Sequence, residues 1–204
     1  MRKIATILLF VIAAIPAFSQ TPKEKKKKEI LSRAGDHLML QFSYDNWTGT
    51  PDSIDNHIKG LNRGANFYVM YDMPFKGDPR FSVAAGVGVG TSNIYFKKMT
   101  VDITSNLPVL PFTATDTVNN FKKYKLATTF IEVPLEFRFS ASPEKPNKSV
   151  KIALGVKLGT MLNAHNKGKT LRDASGKTLI SYTEKNTSKN YFNTTRLAAT
   201  ARIG

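Results

Sequence analysis

The ten residues 130–139, FIEVPLEFRF, decide how the rest of the chain is read. Their odd positions, Ile131, Val133, Leu135, Phe137 and Phe139, are all apolar, and their even positions include Glu132, Glu136 and Arg138. Side chains alternate faces along a strand, so one face here is apolar and the other ionic. On this stretch alone, a half-buried strand of a soluble protein fits as well as a strand of a membrane barrel. In the first the apolar face meets a core. In the second it meets lipid, and the charges pack inside the lumen.

The remainder of the chain separates the two. Its 204 residues suffice for one domain with a real core. The absence of cysteine excludes a disulfide scaffold and a thiolate metal site. A formal net charge of +15 fits nucleic acid, an acidic membrane surface or lysine-rich loops. The N-terminus chooses among these. Arg2 and Lys3 precede a mostly apolar run, residues 4–15, that is too short to span a bilayer comfortably. Ala17 and Ser19 are small residues where a signal peptidase reads, so residues 1–19 read as a cleaved export signal with Gln20 the first mature residue. Gln20 is no lipid-bearing cysteine, which excludes a lipoprotein. An exported chain with no further long apolar run is periplasmic, secreted or in the outer membrane, and nucleic acid is not an expected partner. Residues 20–35 form a lysine-rich leader (Lys23, Lys25, Lys26, Lys27 and Lys28), read as a solvated arm or as a contact for anionic lipid or cell wall.

The barrel domain is expected over residues 36–204, with six strands at 37–45, 64–73, 81–96, 125–139, 150–162 and 192–203. Each alternates. Leu38, Leu40, Phe42 and Tyr44 share a face in the first, and Phe67, Val69, Tyr71 and Met73 in the second. In the third, Phe81, Val83, Ala85, Val87 and Val89 oppose Ser82, Ala84, Gly86, Gly88 and Gly90. That glycine run lacks the spacing of a dinucleotide fingerprint and has no phosphate-loop lysine. Its reading is steric: glycines on the inner face leave room for long side chains from neighbouring strands. Pro134 removes a ladder donor, and a bulge is expected there.

The connections run long (46–63), short (74–80), long (97–124), short (141–149), long (163–189), as in outer-membrane barrels with short periplasmic turns and long extracellular loops. Tyr71, Phe81, Phe137 and Phe139 fall at the short-turn end, and Tyr44 and Tyr95 at the other, as two outward-facing interfacial girdles would. The fold class expected is therefore all-β, an antiparallel up-and-down transmembrane β-barrel. Barrels of this type have about eight strands or more, and an open edge in lipid is costly, so a seventh and an eighth strand are expected beyond the six visible.

The export signal ending Phe18-Ser19-Gln20, the glycine-alternating stretch 82–90 and the IEVPLEFRF pattern together resemble the outer-membrane protein beta-barrel domain family, specifically its PorT-like group of small Gram-negative barrels. The resemblance covers roughly residues 36–204. It implies an eight-stranded outer-membrane barrel, a strand in which I-E-V-P-L recurs, and for some members a part in protein secretion or surface assembly.

The inward charges are Asp45, Asp72, Glu132, Glu136, Arg138, Lys151, Lys157, Arg196 and Arg202. In a narrow barrel they must pair or meet water, so a structural ion-pair network that plugs the lumen is expected, in place of a selective channel or an acid–base pair. His37, His57 and His165 lack metal-ligand or triad spacing, and no catalytic, cofactor or metal residue is assigned. The best enzymatic alternative is a loop hydrolase built on His165 with Ser181 or Thr170. Lys167, Lys169, Lys177, Lys185 and Lys189 read as solvated, or as contacts for lipopolysaccharide phosphates. The expected function is thus a non-enzymatic outer-membrane barrel with a plugged lumen and exposed loops, structural or surface-binding. Outer-membrane lipid, including lipopolysaccharide, is its expected partner. A PorT-like secretion accessory is the alternative.

Overall fold

The computed structural model describes residues 38–143 and 148–204, so the expected export signal, the leader, His37 and part of the second short turn lie outside the described residues. Among the described residues there are nine strands and one short helix: β1 Leu38–Tyr44, α1 Asp52–Asp55, β2 Arg63–Pro74, β3 Phe81–Phe96, β4 Met99–Val101, β5 Phe112–Ala114, β6 Asn120–Ser140, β7 Lys151–Arg172, β8 Thr178–Thr187 and β9 Thr195–Ile203.

The main sheet is antiparallel, in the order β1-β2-β3-β6-β7. Beyond β7 the pairing divides. Its first half, from Ile152 to Thr160, pairs with β9, and its second half, from His165 to Arg172, pairs with β8. The sheet curls into a half-barrel. On the concave side Lys157 of β7 reaches Gln41 of β1 at 3.4 Å although three strands lie between them in the sheet. Among the described residues β1 pairs only with β2, and β9 only with β7.

The six expected strands are present, and the third has the expected ends. The others differ in ways that matter. Residues 163–189, expected as a loop, continue β7 by ten residues to Arg172 and return as β8, so this region is a long hairpin. Residues 97–124 likewise hold the small β4–β5 hairpin and the start of β6, residues 120–124. The last strand starts at Thr195, past the Phe192 expected. No bulge forms at Pro134. The ladder to β7 runs through Pro134↔Lys157, and the ladder to β3 merely lapses opposite Gly86 and Val87 before resuming in the same register. The lost donor therefore costs a gap and no change of register. The irregularity between β6 and β7 lies at Thr129/Phe130, where Leu162 is the extra residue on β7.

The strands divide by height into two layers with opposite polarity. Toward the short turns, the convex face carries the apolar residues: Phe67, Val69, Val133, Leu135, Leu154, Val156 and Leu158 are all exposed. The concave face there holds Glu132, Glu136 and Arg138, all buried. Toward the long connections the pattern inverts. Ile94 and Phe96 of β3 and Tyr124 and Leu126 of β6 point into the concavity and are buried, packed against Met99, Val101 and Ile103. Trp47, Ile54, Ile58 and Phe112 close over them, so the β4–β5 hairpin and α1 cap this end with an apolar core. Phe96 is the hub, edge-on to Trp47 at 5.9 Å and to Phe112 at 6.2 Å. The Tyr124 hydroxyl pins the hairpin by donating to Val101 O at 2.9 Å, and Asn166 Nδ2 donates to the same carbonyl at 2.7 Å.

Candidate functional site

The concave polar face is built row by row from the register. One row runs Tyr68, Gly88, Glu132, Gly159, Arg196 across five strands. Large residues alternate with glycine, so each long side chain lies over a neighbour without a Cβ. A Cβ on Gly90 would stand 3.0 Å from Glu132 Oε2, and one on Gly159 would stand 3.1 Å from Glu132 Cγ. One on Gly88 would fall on Phe67 O and the Tyr68 ring.

Within this face Glu132 accepts a short hydrogen bond from the Tyr68 hydroxyl and lies 3.3 Å from Arg196 Nη1. Lys157 Nζ donates to the Tyr68 hydroxyl at 3.0 Å and sits 4.8 Å above the Tyr68 ring. Nearer the short turns, Glu136 Oε2 accepts from Arg138 Nε at 2.8 Å and from Arg202 Nη2 at 3.0 Å. Arg138 Nη1 lies 3.7 Å from Asp72, which also accepts from Ser82 Oγ at 2.7 Å. Glu132, Lys157 and Arg196 are thus joined through Tyr68 in one group, and Asp72, Glu136, Arg138 and Arg202 in another. Asp45 stands apart, held by the hydroxyls of Ser43 at 2.8 Å and Ser92 at 2.7 Å. Lys151 lies at the short-turn end, where its backbone exchanges hydrogen bonds with Gly204.

Tyr68 alternates with Phe67 and Val69, the outward residues of the second strand, so the sequence places it on the inner face but gives it no role. Its signal was an aromatic residue opposite the glycine run of β3. Between the polar rows and the apolar cap lies a recess of about 280 Å³, whose wall includes Trp47, Phe130, Phe192 and Arg196. Arg196 spans the two environments, 5.4 Å over the Phe130 ring.

On the convex face the expected lower girdle is one aromatic cluster. Phe81 stacks on Phe137 at 5.8 Å and meets Phe139 at 5.2 Å, and Phe75, within the short turn expected at 74–80, joins Phe137 at 6.1 Å. Tyr71 and Tyr44 are exposed on the same face, and Tyr95 lies beneath the Arg63 guanidinium at 5.8 Å.

An antiparallel curled sheet with an apolar convex belt and a charged concavity lined by paired side chains is the pattern of a small outer-membrane barrel. A sequence model described as "Outer membrane protein beta-barrel domain" matches residues 18–204. The chain belongs to this family. No curated protein and no solved structure matches. Membership makes the protein an outer-membrane β-barrel and sets its convex belt in the context of lipid.

The remaining candidates disperse. His165 is on β7, hydrogen-bonded to Asn163 at 3.2 Å and opposite Thr187. Ser181 lies six residues along β8 from Thr187, about 20 Å away at strand spacing. Thr170 is five residues up β7 from His165, roughly 16 Å. Neither distance allows proton transfer. His57 bridges Ser53 O at 3.0 Å and Asp116 Oδ2 at 3.1 Å at the capped end. That hydrogen bond, aided by Lys98, holds the Asp116 carboxyl below the usual carboxylate range. Among the described residues, no three His, Asp or Glu side chains are grouped to hold a metal. Of the five loop lysines, Lys167, Lys169 and Lys185 share one face, Lys189 Nζ turns back to Met161 O at 3.1 Å, and Lys177 lies in the β7–β8 turn.

Proposed function

We propose that this barrel is a non-enzymatic integral protein of a Gram-negative outer membrane, exported by the signal at residues 1–19, with its short turns in the periplasm and its capped end outside the cell. Its lumen is plugged, and its surface role lies with the capped end. The observation that supports this best is the alternation itself: the rows of exposed apolar residues on the convex face back directly onto buried, mutually paired Glu136, Arg138 and Asp72. Exposed apolar surface of that extent is untenable in water and natural in lipid. The contacts that join Tyr68, Glu132, Lys157 and Arg196 across the concave face support the plugged reading. In lipid the outer edges that β1 and β9 present among the described residues must also be paired.

The test is paired. Protein from a purified outer-membrane fraction should migrate faster on gels when unboiled than when boiled, and should give no steady conductance in planar bilayers. Equal migration would defeat the barrel reading, and steady ion-selective conductance would defeat the plug. Loss of surface-protein export on deletion, with the plug intact, would move the protein to the secretion-accessory role that the PorT-like resemblance implies.

A further inference from the structure

The convex face changes chemistry above the apolar belt. On β6, Tyr124 and Leu126 are buried, so Lys123 and Lys125 between and beside them point outward. On β7, buried Asn166 sets Lys167 and the exposed Lys169 outward likewise. The register then brings these cations together. Tyr95, Lys125, Lys167 and Lys185 occupy one row across β3, β6, β7 and β8, and Lys123 faces Lys169 in the next. Like charges placed directly opposite on a sheet repel and destabilise it. Among the described residues none of these five lysines has an acidic partner; Lys125 Nζ is held by the neutral Asn93 Oδ1 at 2.6 Å. Tyr95, Lys123, Lys125, Lys167 and Lys169 enclose a recess of about 220 Å³, and Arg63 over Tyr95 extends the positive surface to β2.

Height identifies the occupant. A tilted strand climbs roughly 2.5 Å per residue along the barrel axis, so a belt about 25 Å tall that starts at Phe139 ends near Thr129. Lys125 then lies roughly 10 Å beyond the belt, in the headgroup layer and within reach of a lysine stem and a phosphate. The recess opens on the same face as the belt, so whatever fills it stands beside lipid tails. Compact ammonium groups converging on one recess suit phosphate oxygens.

We infer that Lys123, Lys125, Lys167, Lys169 and Lys185 form a docking site for the phosphate groups of an outer-leaflet lipid, the phosphorylated sugar headgroup of lipopolysaccharide. The inference rests on the outer-membrane reading above. The phosphates neutralise a row of cations that the fold alone leaves in mutual repulsion, and the acyl chains lie on the belt below.

The test uses full-chain protein extracted from membranes in detergent, with the boiling-dependent gel shift followed against temperature. The added probes are bisphosphorylated lipid A, the same lipid with its phosphates removed, and inorganic phosphate. Bisphosphorylated lipid A should raise the unfolding midpoint, at concentrations about tenfold or more below those at which the dephosphorylated lipid acts. The triple variant Lys125→Gln, Lys167→Gln, Lys185→Gln should fold as well as the parent in plain detergent, because it relieves like-charge pairs, and should lose that preference. A control triple, Lys76→Gln, Lys97→Gln, Lys148→Gln, should keep it. Equal response to both lipids, or a preference that survives the first triple, would overturn the site. Equal protection by inorganic phosphate would make it a free-anion site and overturn the lipid assignment. Absence of any gel shift in the parent would instead remove the membrane reading on which the site depends.

Discussion

The two layers of this sheet use the same strands with opposite polarity. Below the level of Gly90, β3 and β6 show apolar residues outward and charged or small ones inward; above it, Ile94, Phe96, Tyr124 and Leu126 turn inward and Lys123 and Lys125 outward. On β6 and β3 the switch needs no register shift between the strands. It is made by residue choice alone, at the height where, on the membrane reading proposed above, the surrounding medium changes. Each layer is held by the interaction its surroundings leave available. Where the outside is lipid, the inside is tied by charges and hydroxyls, because apolar burial gains nothing against lipid tails. Where the outside is water and headgroups, the inside is an ordinary apolar core.

If that division is right, equivalent lesions should behave differently in the two layers. The largest effect is expected from Glu136→Ala, which leaves buried Arg138 and its neighbour Arg202 facing a lost carboxylate. It should cost about 3–5 kcal/mol and lower the midpoint of the gel shift for the whole barrel. Phe96→Ala should cost about 3 kcal/mol but act locally, releasing the β4–β5 hairpin to protease while the gel shift persists. On the convex face, Val133→Arg at mid-belt should cost about 2–4 kcal/mol in refolding into bilayers. Thr113→Arg, on the exposed β5, should change stability by no more than about 0.5 kcal/mol. A global collapse from Phe96→Ala, or tolerance of Val133→Arg, would break the comparison. The smallest effect is one of pH. The Asp116 carboxyl is held low in the folded state by His57, so its contribution is present above the ordinary carboxylate pKa and is lost as pH falls through the lower folded value. Only the capped end should then loosen, seen as faster amide exchange around residues 54–58 and 114–117, and Asp116→Asn should abolish the difference.

The lower layer was legible because lipid demands an apolar residue at every second position, and β3 and β6 supply it without interruption from residue 81 to 89 and from 131 to 139. The inner charges were legible by the same alternation. Their partners were not, since pairing Tyr68 with Glu132 requires the register across two strands. The upper layer was misread. Residues 163–189 are polar and rich in lysine, which suggested a loop, yet alternation continues through Asn166, Lys167, Gly168 and Lys169 with the buried residues small or amide-bearing. The inversion at residues 94–96 and 124–126 was the available signal, and it requires reading a change of phase in the apolar pattern as a change of medium, with the strand unbroken.

In a membrane this change of phase should mark the edge of the bilayer. The chain has no cysteine, so single cysteines can be placed at each odd position from 123 to 139 on β6, spin-labelled, and compared in vesicles for collision with oxygen and with a water-soluble nickel chelate. Labels from 131 to 139 should be oxygen-accessible and nickel-protected and those at 123 and 125 the reverse, with the crossover near Thr129. Nickel access that is uniform along the strand, or a crossover displaced into residues 133–137, would contradict it.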